Sequence, residues 1–273
     1  MIVTLLTDFG TADYFVGAMK GAVLAVNPEA QLVDITHEVP AYDVEAGAFT
    51  LRAAFETFPE GTVHVAVVDP GVGSARRGIA VTGGGHTFVG PDNGVFGHVY
   101  ERVRPLRVFH LTNEKYFRRE VSPTFHGRDV FAPVAGALSL GVRARDLGPE
   151  VSDFVRLPSA ATARLDDGTL VGAVIHVDRF GNCVTNVTPR DLPDEDVRRG
   201  ARLLVGGREV RSFRRFFAED EGACGEPFAV WGSAGLLEIA VFRDSAARVL
   251  GVRRGDRVEV RKDEGGGVLG FGC

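Results

Sequence analysis

The sequence predicts an N-terminal α/β domain built on a parallel sheet, followed by a smaller C-terminal β-barrel domain. The chain of 273 residues is too long for one small core. Its first half alternates apolar runs with amphipathic stretches of helical period, whereas its second half contains mainly short β-like runs. We expect the α/β domain at residues 1–157, the β-barrel domain at 165–262 and a mobile tail at 263–273.

The strands of the first domain are predicted from short, largely apolar runs, which are typical of strands covered on both faces. The first three runs are Ile2–Leu6, Leu32–Ile35 and Val63–Val68. Two further strands are predicted at Ile79–Thr82 and Thr87–Val89, with three consecutive glycines between them.

Helices are predicted between these strands from apolar stripes of helical period. One stripe spans Phe15–Val26, and a second spans Val44–Phe55 with Asp43 as its N-cap. Asn93-Gly94 is predicted to open another helix, and Phe131–Leu140 to form one more. The alternation of strands and helices implies a parallel sheet with right-handed crossovers.

The second domain is predicted after a connector at Pro158–Thr162. Gly206-Gly207 is a hairpin signal between two of its β-like runs. Many short strands with such turns favour a closed or barrel-like sheet. The predicted strands are Leu170–Val177, Arg202–Val205, Glu209–Val210, Phe228–Trp231, Leu236–Val241 and Arg257–Val260.

Composition excludes several classes of function. The net charge of −5 and the scattered basic residues argue against nucleic-acid binding. Three cysteines without a CxxC pair argue against a disulfide framework and a thiolate zinc site, and the histidines show no metal-binding spacing. No apolar stretch reaches the roughly 18 residues that a membrane span needs. We therefore expect a soluble cytoplasmic protein without a metal.

Three ionisable residues stand in Gly- and Pro-rich segments of the kind that hold ligands. Asp69 and Arg76 lie in VVDPGVGSARR, and His126 lies in TFHGRDVFAP. Asp8 and Asp69 each follow a predicted parallel strand, and ligands bind beyond the carboxyl ends of such strands. Alone, each residue has a structural explanation as a turn former, a surface cation or a core histidine. Together, Asp69, Arg76 and His126 can hold and activate one water molecule.

Seven segments carry a resemblance to a known family. The chain resembles the S-adenosyl-L-methionine hydroxide adenosyltransferases, the hydrolase branch of the fluorinase and chlorinase superfamily. This resemblance implies homotrimers, with each active site between the α/β domain of one subunit and the β-barrel domain of its neighbour. The segments are TDFG (7–10), DVEAGA (43–48), VVDPGVGSARR (67–77), GPDNGVF (90–96), TFHGRDVFAP (124–133), DRFGNCVTN (178–186) and GSAGLLEIAV (232–241).

The reaction implied by the resemblance converts S-adenosyl-L-methionine and water into adenosine and L-methionine by in-line displacement at the ribose C5′. S-adenosyl-L-methionine is the substrate, and no cofactor is implied. The thioether leaves without acid help, so the difficulty lies in the weak nucleophile. Asp69, Arg76 and His126 match the catalytic triad of the family. Pairing with Arg76 makes Asp69 a weaker base, which favours His126 as proton acceptor but leaves that assignment open.

The resemblance also implies residues of the first domain that bind substrate. Asp8 would accept hydrogen bonds from the ribose hydroxyls, and Asp13 follows in the same block. Tyr42 and Phe125 would provide aromatic walls near the ribose and adenine.

From the second domain, the resemblance implies that Asp178 binds the methionine ammonium and Ser233 the carboxylate. Phe180 and Asn182 would contact the adenine. Glu238 belongs to the same block, although a solvent-facing residue on a strand explains it equally well.

The sequence departs from the family after Glu238. Where the family usually has an Asn- and Gly-containing stretch, this chain reads Val241-Phe242-Arg243-Asp244-Ser245. The family contacts to the adenine edge from this stretch are largely made by the backbone, so Val241 and Arg243 stay candidate binding residues.

Two alternatives to hydrolysis stay open. The halogenating enzymes carry uncharged hydroxyl side chains where this chain has Asp69 and His126, and a fixed carboxylate would repel a halide ion. A protein that only binds S-adenosyl-L-methionine or adenosine would need Asp8, Asp178 and Asn182 but not the triad. The intact triad therefore favours hydrolysis.

Overall fold

The computed structural model describes residues 1–158, 161–219 and 225–262. The chain divides after Pro158 into two compact units. The predicted mobile tail at 263–273 lies outside the described residues. The longest helices have 12 residues, and in the described ranges no helix has the length and apolar character needed to cross a bilayer.

The first unit is built on a six-stranded sheet with the order β2-β1-β3-β5-β4-β6. Strands β2, β1, β3 and β5 run parallel, as the alternation of strands and helices predicts. The strands are β1 (Ile2–Thr7), β2 (Gln31–Thr36), β3 (Val63–Val67), β4 (Gly78–Gly83), β5 (His86–Pro91) and β6 (Arg107–His110).

The sheet is mixed, so the prediction of a parallel sheet is wrong beyond β5. Strand β4 pairs antiparallel with both β5 and β6. The cause is the turn at Gly84-Gly85, where both residues have positive φ, +59° and +79°. A two-residue turn of this kind joins antiparallel strands. Strand β6 was not predicted.

The four helices of the first unit are α1 (Phe15–Val26), α2 (Val44–Phe55), α3 (Val99–Arg102) and α4 (Ala132–Ser139). The first two match the predicted stripes, and Asp43 caps α2 by accepting a hydrogen bond from the Ala46 amide. The helix predicted at Asn93 begins only at Val99, because Gly94 has a φ of +102°. The predicted helix at 131–140 begins at Ala132, after a π-helical turn at 127–131.

Both faces of the first sheet are covered at β1 and β3, which explains the largely apolar runs of these strands. Leu5 of β1 lies in a buried cluster with Met19 of α1. The next residue, Leu6, points to the opposite face and lies in a cluster with Leu51 of α2. Successive strand residues alternate between faces, so most of them are apolar when helices pack on both sides.

The described residues of the second unit, 161–219 and 225–262, form nine strands and two short helices, α5 (Asp194–Arg198) and α6 (Ala246–Leu250). Its strand order is β11-β10-β15-β8-β9-β14-β13-β12, and β7 pairs with β8. The strands are β7 (Ala163–Arg164), β8 (Leu170–Val177), β9 (Cys183–Thr185), β10 (Arg202–Val205), β11 (Arg208–Val210), β12 (Ser212–Arg214), β13 (Pro227–Trp231), β14 (Leu237–Val241) and β15 (Arg257–Arg261).

This second sheet is nearly closed. The strands at the two ends of its order, β11 and β12, are separated in the chain by Arg211 alone. The backbone therefore links the two edges of the sheet, which gives an almost barrel-shaped structure.

Candidate active site

Arg76 binds the Asp69 carboxylate with two hydrogen bonds. The Arg76 Nε donates to Oδ1 at 2.9 Å, and a terminal nitrogen donates to Oδ2. Asp69 follows the end of β3, where the Asn93 side chain donates to the Val68 carbonyl at 2.8 Å. Both members of the pair are largely buried, with 10% of the Arg76 side chain and 4% of the Asp69 side chain exposed. Planar two-point pairing fixes the orientation of the carboxylate.

The same guanidinium also binds His126. The distance between its terminal nitrogen and the His126 Nδ1 is 2.9 Å. An arginine can only donate hydrogen bonds, so Nδ1 must be the acceptor and the ring proton must lie on Nε2. Burial and the charge of Arg76 lower the pKa of His126 below its usual value. His126 is therefore a neutral imidazole with a defined tautomer.

The two loops that carry these residues pack directly against each other. Gly73 has a φ of +79°, and a Cβ atom there would lie 2.3 Å from the Pro123 carbonyl oxygen. Only glycine fits this contact, because both the backbone conformation and the space exclude a side chain. The loop of Asp69 and Arg76 is thereby held against the loop of His126.

Asp129 holds the His126 loop from the inside. It lies in the π-helical turn after His126 and is fully buried. Its Oδ2 accepts from the Ser122 amide at 2.9 Å, and its Oδ1 accepts from Arg128 at 2.7 Å. Burial alone would raise the pKa of Asp129, but the hydrogen bonds from Arg128 and Ser122 lower it below its usual value. The carboxylate therefore stays charged and ties the loop together.

Asp8 lies at the same edge of the sheet as Asp69. The register pairs Thr7 with Val67, so the ends of β1 and β3 are side by side. The Asp8 Oδ2 accepts a hydrogen bond from the Tyr42 amide at 2.8 Å. Tyr42 has a φ of +66°, and 74% of it is exposed. Asp13 lies exposed in the segment between β1 and α1.

Phe125 is more deeply buried than a residue that forms the open wall of a binding site. Only 8% of it is exposed. Its ring centroid lies 5.3 Å from that of Phe15 and 6.0 Å from that of Phe9, both in edge-to-face geometry. This aromatic cluster gives Phe125 a packing role, and the predicted contact with substrate stays a prediction.

The second unit contains a pocket of about 840 Å³, a size suited to a small-molecule ligand. Every residue of this unit that was predicted to bind substrate lines it. These residues are Asp178, Phe180, Asn182, Ser233, Glu238, Val241 and Arg243.

Two carboxylates in this pocket differ in their surroundings. Asp178 accepts hydrogen bonds from the Phe180 and Asn182 amides and from the Asn182 side chain, at 2.8–2.9 Å. It therefore also shapes the turn that carries its neighbours. Glu238 is half-buried, and burial together with the charge of Asp178 raises its pKa above the usual value. A cationic ligand would relieve the repulsion between the two groups.

Two family models match the chain. The N-terminal domain of the SAM hydroxide adenosyltransferases matches residues 3–148, and the C-terminal domain of the same family matches residues 172–259. The chain belongs to this family. The matches cover both compact units, so the resemblance inferred from the seven segments is confirmed.

Relatives of known name and structure match over nearly the full length. A protein of Thermus thermophilus named (R)-S-adenosyl-L-methionine hydrolase is 41% identical, covering 93% of this chain and 96% of its own. A fluorinase of Actinoplanes is more distant, at 28% identity over 88% of this chain. The crystal structure of a conserved protein from Thermotoga maritima matches with a TM-score of 0.87 and 34% identity, covering 95% of this chain and 99% of its own.

The segment after Glu238, where the sequence was expected to depart from the family, forms a tight turn at residues 241–244. The Asp244 amide donates to the Val241 carbonyl at 3.2 Å. The residue at its third position, Arg243, has a φ of +56°. Such a conformation favours Gly or Asn over residues with larger side chains. The backbone adopts the turn here despite the change of side chain.

Nine residues of the pocket lining were not predicted as site residues. Four of them with large side chains are Arg215, Phe216, Phe217 and Trp231. Phe216 and Phe217 are 52% and 44% exposed. A pair of adjacent aromatic residues beside two arginines is the signal that would have drawn notice, because exposed neighbouring aromatics are uncommon without a ligand or partner.

No group of three or more potential metal ligands is found among residues 1–158, 161–219 and 225–262. Cys183 is buried in the second unit, and burial raises the pKa of its thiol to about 11. A thiol of this kind is a poor nucleophile.

Proposed function

We propose that this protein hydrolyses S-adenosyl-L-methionine to adenosine and L-methionine by attack of an activated water at the ribose C5′. One observation carries the proposal: a single buried guanidinium, Arg76, joins Asp69 and His126 beyond the end of a parallel strand. The names of the full-length relatives support the same reaction.

The arrangement of the triad favours a specific division of roles. His126 already accepts a hydrogen bond at Nδ1, so its Nε2–H is the group left to donate to the water or hydroxide oxygen. Each Asp69 oxygen accepts from Arg76 but keeps a further lone pair for a proton of the water. This favours Asp69 over His126 as the acceptor. Arg76 and the substrate sulfonium would stabilise the developing hydroxide.

The two units would hold different parts of the substrate. Asp8 would bind the ribose hydroxyls beside the triad, and the pocket of the second unit would bind the adenine and the methionine. Asp178 and Glu238 give this pocket negative charge suited to the ammonium and sulfonium groups. We propose that the enzyme works without a cofactor in the cytoplasm, as a homotrimer whose active sites each use the α/β unit of one subunit and the β-barrel unit of its neighbour.

The configuration at sulfur is part of the proposal. The relative from Thermus thermophilus is named for the R diastereomer. A sulfonium is pyramidal, so its configuration decides where the methionine chain points once the ribose is fixed. A site that binds both ends of the substrate therefore distinguishes the two diastereomers, and we propose that this protein prefers the R form.

The proposal is tested by incubating the purified protein with separated diastereomers of S-adenosyl-L-methionine and following products by chromatography, with and without chloride or bromide. We expect adenosine and methionine, formed faster from the R form. Adenosine at no higher rate than with a His126→Ala control would refute hydrolysis. A halogenated nucleoside would identify a halogenase, and binding without turnover would identify a sensor.

A further inference from the structure

His37 lies buried behind the turn that carries Asp8. It follows β2, and 5% of it is exposed. Its Nδ1 lies 2.9 Å from the hydroxyl oxygen of Thr7, the last residue of β1. Its backbone carbonyl accepts a hydrogen bond from the Gly10 amide at 2.7 Å. His37 therefore contacts the residue before the turn and the residue that ends it.

The turn itself is closed onto the same hydroxyl group. The Phe9 amide donates to the Thr7 hydroxyl oxygen at 3.2 Å. Five residues after His37, the Tyr42 amide donates to the Asp8 carboxylate at 2.8 Å. The segment from His37 to Tyr42 thus fixes both the backbone around Asp8 and the carboxylate itself.

A polar chain continues on the other side of the imidazole. The His37 Nε2 lies 3.0 Å from the Asp34 Oδ1, although this contact is not well aligned for a hydrogen bond. The other oxygen of Asp34 accepts from Lys20 at 2.7 Å. A carboxylate facing Nε2 favours the tautomer with the proton on that nitrogen, in which Nδ1 can accept from the Thr7 hydroxyl.

We propose that His37 is a positioning residue for the Asp8 carboxylate. It joins the Asp8 turn to the segment ending at Tyr42 before the ribose arrives. The inference rests on the proposed assignment of Asp8 to the ribose hydroxyls. Preorganisation of this kind lowers the cost of binding, because the turn does not have to be ordered by the ligand.

Two substitutions of His37 separate the bond to Thr7 from the rest of the side chain. In His37→Asn, the amide oxygen can occupy the position of Nδ1 and keep the bond to Thr7. In His37→Gln, the longer side chain places its amide near the position of Nε2 and loses that bond. A matched control is His64→Gln, because His64 is fully buried and its Nδ1 lies 2.8 Å from the hydroxyl of Thr4, further back on the same strand.

The probe is adenosine binding measured by calorimetry on the full chain, together with KM and kcat for S-adenosyl-L-methionine and the melting temperature of each variant. We expect His37→Gln to weaken adenosine binding about tenfold, the effect of losing one hydrogen bond. KM should rise by a similar factor while kcat changes little. His37→Asn should keep most of the affinity, and His64→Gln should lower the melting temperature without changing adenosine binding.

The inference is overturned if His37→Gln binds adenosine as tightly as the original protein, or if His64→Gln weakens binding equally. Failure of the proposed function gives a different result. If the protein releases no adenosine from S-adenosyl-L-methionine but the variants still differ in adenosine binding as expected, hydrolysis is refuted and the role of His37 stands.

Discussion

At the scale of single residues, the candidate site depends on a group that only donates hydrogen bonds. Arg76 binds two acceptors of different kinds, the Asp69 carboxylate and the His126 ring. The Phe131 ring packs against the flat face of this guanidinium, with 5.3 Å between its centroid and the Arg76 Cζ atom. A planar fork with five N–H groups can satisfy both partners at once, whereas a single ammonium cannot keep the same geometry.

This dependence predicts the effect of Arg76→Lys. We expect kcat to fall by about 10²–10³, the usual effect of losing an electrostatic group that acts on the transition state. Arg77→Lys is the matched control, because Arg77 binds Asp92 and Asp153 instead. Steady-state kinetics should show the loss only for Arg76→Lys. Near-normal kcat in that variant would contradict the role given to the guanidinium.

The backbone of Arg243 gives a second prediction at this scale. Its φ of +56° is costly for a residue with a side chain. We expect Arg243→Gly to have a free energy of unfolding about 1 kcal/mol higher than Arg243→Ala, because both lose the side chain but only glycine relieves the backbone. Urea unfolding of the two variants measures the difference, and equal stabilities would show that the turn is not strained.

Ionisable residues in turn-rich segments could be predicted as site residues from the sequence, whereas the aromatic residues Phe216 and Phe217 of the pocket wall could not. Asp69 and His126 stand among Gly and Pro, which mark loops. Phe216 and Phe217 stand in a segment without periodicity, so nothing in the sequence alone places them beside Asn182. The hydrogen bond from Arg76 to His126 joins residues far apart in the chain, and it fixes a tautomer that the sequence leaves open.

At the scale of elements, the order of strands and helices could be predicted more reliably than their direction. Helices α1 and α2 follow from apolar stripes and a cap, which are local signals. The direction of β4 depends on the tight turn at Gly84-Gly85, where both residues have positive φ. The alternation of strands and helices earlier in the chain does not predict this reversal. Strand β6 has only four residues at the edge of the sheet, too short a run to show a period.

The amino ends of β3 and β5 carry a buried pair of histidines, which predicts acid sensitivity. The His64 Nε2 lies 3.1 Å from the His86 Nδ1. Burial, followed by the charge of His86, lowers the pKa of His64 to about 3. The folded protein therefore keeps His64 neutral at a pH where the unfolded chain takes up a proton.

The direction of the pH effect follows from this difference. At a pH above the ordinary histidine pKa of about 6.5, His64 is neutral in both the folded protein and the unfolded chain. It then has no effect on how the free energy of unfolding depends on pH. Between about pH 6.5 and 3, stability should fall by up to about 1.4 kcal/mol per pH unit from this group. Urea unfolding at several pH values should show a shallower dependence for His64→Gln. Equal dependence in the two proteins would show that His64 is not responsible.

At the scale of the whole molecule, the proposed reaction uses residues of both units. The triad and Asp8 lie in the first unit, and the pocket of about 840 Å³ lies in the second. The nearly closed second sheet was predictable from its short runs and turn signals. The proposed sharing of sites between subunits rests on the family resemblance, since no feature of a single sequence reports a partner surface.

Sharing of active sites can be tested with two inactive variants. Asp69→Asn removes the triad in one unit, and Asp178→Asn alters the pocket in the other. When the two variants are co-expressed in equal amounts, sites formed between subunits should regain about a quarter of the original activity, because that fraction combines two intact units. Sites formed within one subunit would regain no activity. A preparation that is active and is shown by light scattering to be monomeric would also contradict the trimer.

The central claim is that a water oxygen attacks the ribose C5′, and isotope labelling tests it most directly. The protein is incubated with S-adenosyl-L-methionine in water enriched in the heavy oxygen isotope, and the adenosine is analysed by mass spectrometry. The account predicts one heavy oxygen, located at the 5′-hydroxyl of adenosine. Adenosine without the label at that position, or a product other than adenosine, would contradict it.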